Sequence, residues 1–485
     1  MKKLCVLLIM LLVLSLAACG KTEKKTEVKE EKVEVSQEEQ VSAEEEPVDE
    51  TITKIVLSNS EILVNEEKIS EDAETDIYKA NDIIFYLEGQ GIAYGEGTVK
   101  DEHSQIEADA HTVVHITKPG TYEISGTMDA GQIFVDLGDG AKKNPEAVVT
   151  LILNNADITC TVAPAILFYN VYECDTAADE EEAAMEIDTS AAGANIQIAD
   201  DTRNKIYGSY VAKIFESADL NEDGTEVIDS KKLYKFDGAV YSKRTMNVYG
   251  DTGRLSITAE NEGLCSEMHL TIHGGNLDIK SGNDGINTSE DNVSVFAMND
   301  GNLKIQVTGE TGEGDGIDSN GWILVNGGTV NAWACGTSAD SGIDADRGIY
   351  LNGGTVAASG NMRAELSDGV MTAVTFMSRQ PAESGETYEV KDAEENVLME
   401  VEPENTFTML VVAAEEITAE NQYSLWLGNE KISDGISGEM IKPGMPPEEM
   451  PPEEMPPEGM MPPEGMMPPE NIEGGERPPK PEKKK

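Results

Sequence analysis

The chain has 485 residues with 36 basic and 92 acidic side chains, a formal net charge of −56. Such a field excludes nucleic acid as a natural partner and opposes approach to bare anionic surfaces. Six cysteines give no pair at zinc or thioredoxin spacing.

Residues 1–19 read as a targeting segment: Lys2 and Lys3, an apolar run from Leu4 to Leu14, then Leu16-Ala17-Ala18-Cys19. The run is too short for a permanent bilayer span, and Leu-Ala-Ala-Cys has the form of a bacterial lipoprotein signal. Cys19 would become the lipidated N-terminus, with more than one acyl chain and so a stable membrane anchor. An ordinary cleaved secretory signal is the alternative, and either predicts an extracytoplasmic protein. Residues 20–50 are rich in Lys, Glu, Val, Ser and Gln and lack aromatics. A segment of that kind cannot bury enough surface to fold and serves as a stalk.

Ordered structure is expected from residue 51, where apolar alternation begins. Strand candidates are Ile83 to Leu87, Val113 to Ile116, Tyr122 to Ser125, Ile133 to Leu137 and Val148 to Leu153, punctuated by turns such as Lys118-Pro119-Gly120. Residues 171–235 interrupt the pattern. Within them Cys174 to Asp188, acidic and Ala-rich, is expected as an exposed insertion. Asp219-Leu220-Asn221-Glu222-Asp223-Gly224 has the opening of a calcium loop, with Asp219, Asn221 and Asp223 at positions 1, 3 and 5 and Gly at 6. Position 12 is Ser230 rather than Glu, so a solvated acidic loop is the competing reading.

The stretch from Phe236 to Met362 repeats itself. An acid-Gly-apolar unit recurs at Asp237-Gly238, Glu262-Gly263, Asp284-Gly285 and Asp315-Gly316, with Ser341-Gly342 as a non-acidic fifth copy; its glycines lie 25, 22, 31 and 26 residues apart. A second glycine unit follows each, at Gly253, Gly275, Gly301, Gly328 and Gly354, spaced 22, 26, 27 and 26. Within each copy the apolar period is two, as in Leu255/Ile257, Leu277/Ile279 and Leu303/Ile305. A coil of this length holding two or three short strands between tight turns predicts an all-β parallel β-helix over residues 51–362. Alternation without the glycine repeat continues through residues 363–440, the expected β-rich C-terminal cap. The remainder, 441–485, is Met-Pro-Pro-Glu repeats ending in three lysines, an extended spacer or a docking strip for an unidentified partner.

Aligning the glycines places Asp237, Glu262, Asp284 and Asp315 in one file and Asn287, Asp318 and Asp344 in another. Two carboxylates about 4.8 Å apart repel by about 3.5 kcal/mol at an effective dielectric of 20. Bound Ca²⁺ would convert that repulsion into coordination, with Asp340, Asp344 and Asp346 adding oxygens at the last regular copy. The competing reading is that these residues only cap turns. Cys160, Cys174, Cys265 and Cys335 are either disulfide partners or buried thiols. Cys265 stands where other copies offer Asn or Asp, which weakens coordination there.

Residues 262–272 (Glu-Gly-Leu-Cys-Ser-Glu-Met-His-Leu-Thr-Ile), 284–291 (Asp-Gly-Ile-Asn-Thr-Ser-Glu-Asp), 314–321 (Gly-Asp-Gly-Ile-Asp-Ser-Asn-Gly) and 352–356 (Asn-Gly-Gly-Thr-Val) resemble the carbohydrate-binding β-helix proteins of clostridia. The resemblance runs from about Ile52 to Gly438. It implies a right-handed, pectate-lyase-like parallel β-helix that binds calcium, cellulose and polygalacturonate, without assigning particular acidic residues. For an acidic protein, calcium would bridge to a polyuronate. For a neutral glucan, Trp322 and Trp333 are candidates to stack on sugar rings, with core packing as the alternative. Arg347, amid the acids of the last copy, is the candidate for contact with the glycan. It is also the first candidate base should the protein be a calcium-dependent polysaccharide lyase, since elimination needs a base beside the metal. The expected function is therefore a surface lipoprotein that binds plant cell-wall-type polysaccharide without cleaving it; a lyase and a scaffold without glycan ligand are the alternatives.

Overall fold

The structure is a computed structural model and describes residues 52–177 and 179–437. The signal segment, Cys19, the stalk and the whole Met-Pro-Pro-Glu tail lie outside the described residues. The described chain is nearly all β, and most of its strand pairings are parallel.

Each regular repeat supplies three strands. In one repeat these are Glu262–Ser266, Leu270–Ile272 and Asn276–Ser281; in the next, Ile286–Thr288, Val295–Met298 and Asn302–Val307. Every strand pairs in parallel with its counterpart, giving three stacks. In the first stack Leu264, Ile286, Ile317 and Ile343 are in register. In the second, Ile272, Met298, Val325 and Leu351 align; in the third, Leu255, Leu277, Leu303, Val330 and Val356 align. All of these are buried in one continuous apolar core. The period of two seen in the sequence is the inward half of each strand, and each buried Leu or Ile contributes about 1.5–3 kcal/mol.

The glycine of the acid-Gly-apolar unit is required by the closeness of the stack. A Cβ on Gly285 would overlap Ile305 Cγ2 and lie 2.7 Å from the Gly316 carbonyl oxygen. The acid before it and the Ile after it are thereby held at fixed heights in successive repeats.

Upstream, Thr53–Leu57 pairs in parallel with Gly120–Met128, which pairs with the long strand Val149–Cys160. That strand divides: Val149 to Leu153 pairs with Ala194–Ile198, and Asp157 to Cys160 with Arg203–Gly208. The second and third stacks are joined there. Ile83 to Leu87, expected as a strand, makes only an isolated bridge at Leu87 to His103. A short helix, Gln105–Asp109, follows, with Ser104 Oγ accepting the Glu107 N–H.

Residues 171–235 are not a single interruption. Ala194–Ile198 and Arg203–Gly208 belong to the parallel stacks, in register with Met246–Tyr249 and Arg254–Ala259. A hairpin of Val211–Leu220 and Val227–Phe236 follows them. Cys174 to Asp188 is not a freely exposed insertion either. Ala183, Met185 and Ile187 pack as a strap on Val295, Trp322 and Leu324, which face outward from the second stack. The sequence shows the reason: Val295-Phe296-Ala297-Met298 and Trp322-Ile323-Leu324-Val325 are apolar at every position, the pattern of strands covered on both faces.

Past Gly360 the pairing becomes antiparallel. Thr355–Gly360 pairs with Phe407–Ala413, and Tyr388–Lys391, Val397–Val401, Gln422–Leu427 and Glu430–Ile436 form a small antiparallel sheet. A second apolar cluster fills this end, with Trp333, Phe376, Tyr388 and Phe407 fully buried in it.

Candidate metal centre and glycan face

The outward positions of the first stack carry the acids. Cys265, Asn287, Asp318 and Asp344 are in register on neighbouring strands, as the glycine alignment predicts, and Tyr241 precedes them. The other file differs by one residue at its start. Gly238, not Asp237, pairs with Glu262, because the first copy carries one more residue, Ala239, between its glycine and the inward Val240 that pairs with Leu264. Asp237 instead accepts an ion pair from Lys235 at 2.8 Å.

Within the file, Asp284 and Asp315 each cap the next repeat. Asp284 Oδ1 accepts the backbone N–H of Asp315 at 2.7 Å, and Asp315 Oδ1 accepts that of Ser341 at 2.6 Å. Glu262 takes the Cys265 thiol at 2.9 Å and the Asn287 amide at 3.2 Å. Cys265 therefore closes the acidic file at that end, as a thiol donor to Glu262. Asp284 and Asp315 thus cap turns by accepting backbone N–H groups, whereas both Glu262 oxygens accept from side chains and the second Asp284 oxygen accepts the Asn287 amide at 3.3 Å.

Asp315, Asp318 and Asp344 offer carboxylate oxygens that all lie within 4.8 Å of one another. Burial, followed by the neighbouring Asp284, Asp318 and Asp344 charges, pushes the Asp315 carboxyl up to about 9. Burial and the Glu262 and Asp318 charges hold Asp284 well above the carboxylate range. Asn287 Oδ1, beside Asp318, is a buried acceptor without a hydrogen-bond donor. An array of oxygen donors that repel one another, with an acceptor lacking a partner, fits a hard divalent cation such as Ca²⁺.

The other nominated residues lie elsewhere. Asp340 Oδ2 accepts the Gly314 N–H at 2.7 Å and the Ser338 hydroxyl, which makes it a turn cap next to the group. Asp346 is exposed, two residues past Asp344. Asp219, Asn221 and Asp223 sit at the tip of the hairpin, flanked by strands rather than helices. Asn221 Oδ1 accepts the N–H groups of Thr225 at 2.8 Å and Glu226 at 3.3 Å, so the turn is closed by the oxygen a calcium loop would present. They do not join the carboxylate group.

Neither tryptophan offers an open face. Trp333 is 2% exposed and packs against the C-terminal end. Its apolar ring fills the space where the parallel stack meets the antiparallel strands. Trp322 is 7% exposed, lies under the strap, and carries the Arg347 guanidinium 4.1 Å over its ring. Arg347 also donates to the Asn292 carbonyl at 2.9 Å. It serves as a clamp on the strap side rather than as a free cation. Cys160, Cys174, Cys265 and Cys335 are unpaired thiols.

A row of aromatics on the first stack was not singled out from the sequence. Tyr78 stacks on His115 at 4.4 Å, His115 meets Phe134 at 5.2 Å, and Phe134 stacks on Tyr169 at 5.8 Å. Their spacing in sequence is irregular, so only strand register reveals them. The ring faces are occupied by one another, which leaves edges rather than platforms for sugars.

The profile of the carbohydrate-binding domain-containing protein family matches residues 110–435, more than half of the chain. A carbohydrate-binding domain-containing protein of Acetivibrio thermocellus is 30% identical over 169 residues, 35% of this chain and 45% of that relative. The chain thus spans under half the length of the curated relative it matches. Among solved structures, the polysaccharide lyase-like protein from C. thermocellum, in its gadolinium derivative, is similar with a TM-score of 0.37 and 20% identity, covering 66% of this chain and 94% of that one. By the extent of the profile match, the chain belongs to the carbohydrate-binding domain-containing protein family.

Proposed function

We propose that this protein is a surface lipoprotein that holds plant cell-wall-type polysaccharide, of pectate or cellulose type, without cleaving it. The three stacks are then the faces of a right-handed parallel β-helix, the hand that parallel crossovers take in nearly all sheets. Asp315, Asp318 and Asp344, with Asn287 beside them, hold Ca²⁺. The bound ion supplies positive charge that a glycan carboxylate or hydroxyl can share. The observation that carries this reading is the group of three outward-facing carboxylates within 4.8 Å in a family of carbohydrate-binding domains.

Binding without catalysis is supported by the position of Arg347, the nominated base. Its guanidinium is engaged by the Trp322 ring and the Asn292 carbonyl, whereas elimination needs a base at the metal. Lipidation at Cys19 places the domain on the outer face of the bacterial cytoplasmic membrane.

The test is retention of the full chain on insoluble pectate and cellulose, with calcium and with a chelator, while ultraviolet absorbance follows unsaturated product. Calcium-dependent retention without new absorbance is the expected result. A rise in absorbance would make the protein a lyase, and absence of retention under every condition would leave a scaffold. Cys19→Ser should move the protein from the membrane fraction to the medium.

A further inference from the structure

Lys243 and Arg244 follow directly on the first-stack strand Gly238–Ser242, on the same sheet as the carboxylate group. They are unusual for a chain of net charge −56. Most lysines in the described residues that approach an acid form ion pairs, such as Lys213 with Glu96 and Lys304 with Glu404. Lys243 forms no ion pair among the described residues. Its ammonium lies 4.2 Å over the ring of Tyr169 and is half-buried. The adjacent carboxylate, Glu267, is already engaged by Lys232 at 3.4 Å and by the Tyr241 hydroxyl at 2.9 Å.

Arg244 has the same character. One guanidinium nitrogen donates to the Lys243 carbonyl at 2.7 Å, while Nε is buried without a partner. Burial, with Arg244 and Lys232 nearby, pulls the Lys243 pKa down. A desolvated cation next to a buried donor without an acceptor is costly unless an anion arrives.

Resting on the binding reading above, we propose that Lys243, over the Tyr169 ring on the first stack, and the adjoining Arg244 form a subsite for the carboxylate of an acidic saccharide. The strands between Lys243 and Asp318 are successive neighbours in the sheet: Gly238–Ser242, Glu262–Ser266, Ile286–Thr288 and Ile317–Ser319. Three spacings make about 14 Å. A uronate chain running along the stack therefore meets a protein cation at one end and the carboxylate group, with its ion, at the other. The two anchors select a chain that carries charge on well-separated residues. A neutral glucan gains nothing at Lys243, because it brings no anion to the ammonium and the Tyr169 ring is covered by Phe134 and Lys243. The surrounding acidic field disfavours bulky polyanions, whereas a single extended glycan chain can reach the patch.

The experiment titrates oligogalacturonate, and separately a neutral cello-oligosaccharide, into the full chain at constant calcium, comparing wild type with Lys243→Gln, Lys243→Met and Lys243→Arg. Lys243→Gln and Lys243→Met are expected to weaken the acidic ligand by about tenfold or more, the size of one charge-assisted contact, and to leave the neutral ligand unchanged. Lys243→Arg should restore most of the affinity. Lys243→Met keeps the aliphatic stem on Tyr169, so it tests the charge even if Lys243→Gln disturbs the fold. Equal affinity of wild type and Lys243→Met for the acidic ligand overturns the inference. So does parallel weakening of both ligands. Wild type that binds the neutral ligand but not the acidic one overturns the inference alone, and wild type that binds neither overturns the proposed function with it.

Discussion

Asp284 accepts the backbone N–H of Asp315 at 2.7 Å, so an acid of one repeat fixes the start of the next. Burial first, and then the Glu262 and Asp318 charges, raise the Asp284 pKa, while burial and then the Asp284, Asp318 and Asp344 charges raise that of Asp315. Asp315 in turn caps Ser341 through Oδ1 and belongs to the group of three carboxylates proposed above as the calcium site.

Calcium should therefore stabilise the wild type and act weakly on Asp318→Asn/Asp344→Asn. At a free concentration one hundred times Kd, binding adds about 2.7 kcal/mol. Thermal unfolding of both proteins across a calcium series checks it. An equal rise in Tm in the double variant would remove the site from this group.

Asp175 makes the strap acid-sensitive. The His269 Nε2 lies 3.1 Å from Asp175 Oδ2, while His269 Nδ1 accepts the Val295 N–H at 3.1 Å. The hydrogen bond from His269 holds the Asp175 carboxyl below its ordinary value near 3.8. A lowered folded pKa contributes stability that is present above the ordinary value and lost as pH falls through the folded one. Hydrogen exchange of residues 183–190 should accelerate in wild type below about pH 4. In Asp175→Asn it should be fast already at neutral pH, with a flatter pH profile in the acid range.

Arg347→Ala should loosen the strap and leave the parallel core intact. The guanidinium over Trp322 contributes about 0.5–2 kcal/mol. Fluorescence of Trp322 should become more accessible to a collisional quencher, read in a Trp426→Phe background where Trp333 stays buried. Unaltered quenching would show that the strap alone covers the ring.

Ile305 is fully buried between Ile279 and Ala332 in the third stack. Ile305→Ala should cost about 2–5 kcal/mol. Gly285→Ala should also destabilise, since its Cβ would overlap Ile305 Cγ2. Denaturant midpoints measure both. In the double variant the smaller side chain makes room, so the combined loss should be less than the sum.

Much of the repeat region was legible because its signals are local. Alternation of Leu277 and Ile279 sets which side is inward, and the glycine before Ile286 sets where the chain can approach its neighbour. Once repeats stack, those local choices fix register, so the file of Asn287, Asp318 and Asp344 follows from the sequence alone. Asp237 shows the limit: one extra residue, Ala239, between the glycine and the inward Val240 shifts the register by one, and aligning on the glycines hides it. The strap, the burial of Trp322 and Trp333, and the seating of Lys243 on Tyr169 were decided only by tertiary structure. They join segments with no shared period, such as Met185 with Trp322 or Lys243 with Tyr169, and apolar surface is non-directional. A covered outer strand and a naked one differ in what lies above them, which no repeat in the strand itself encodes.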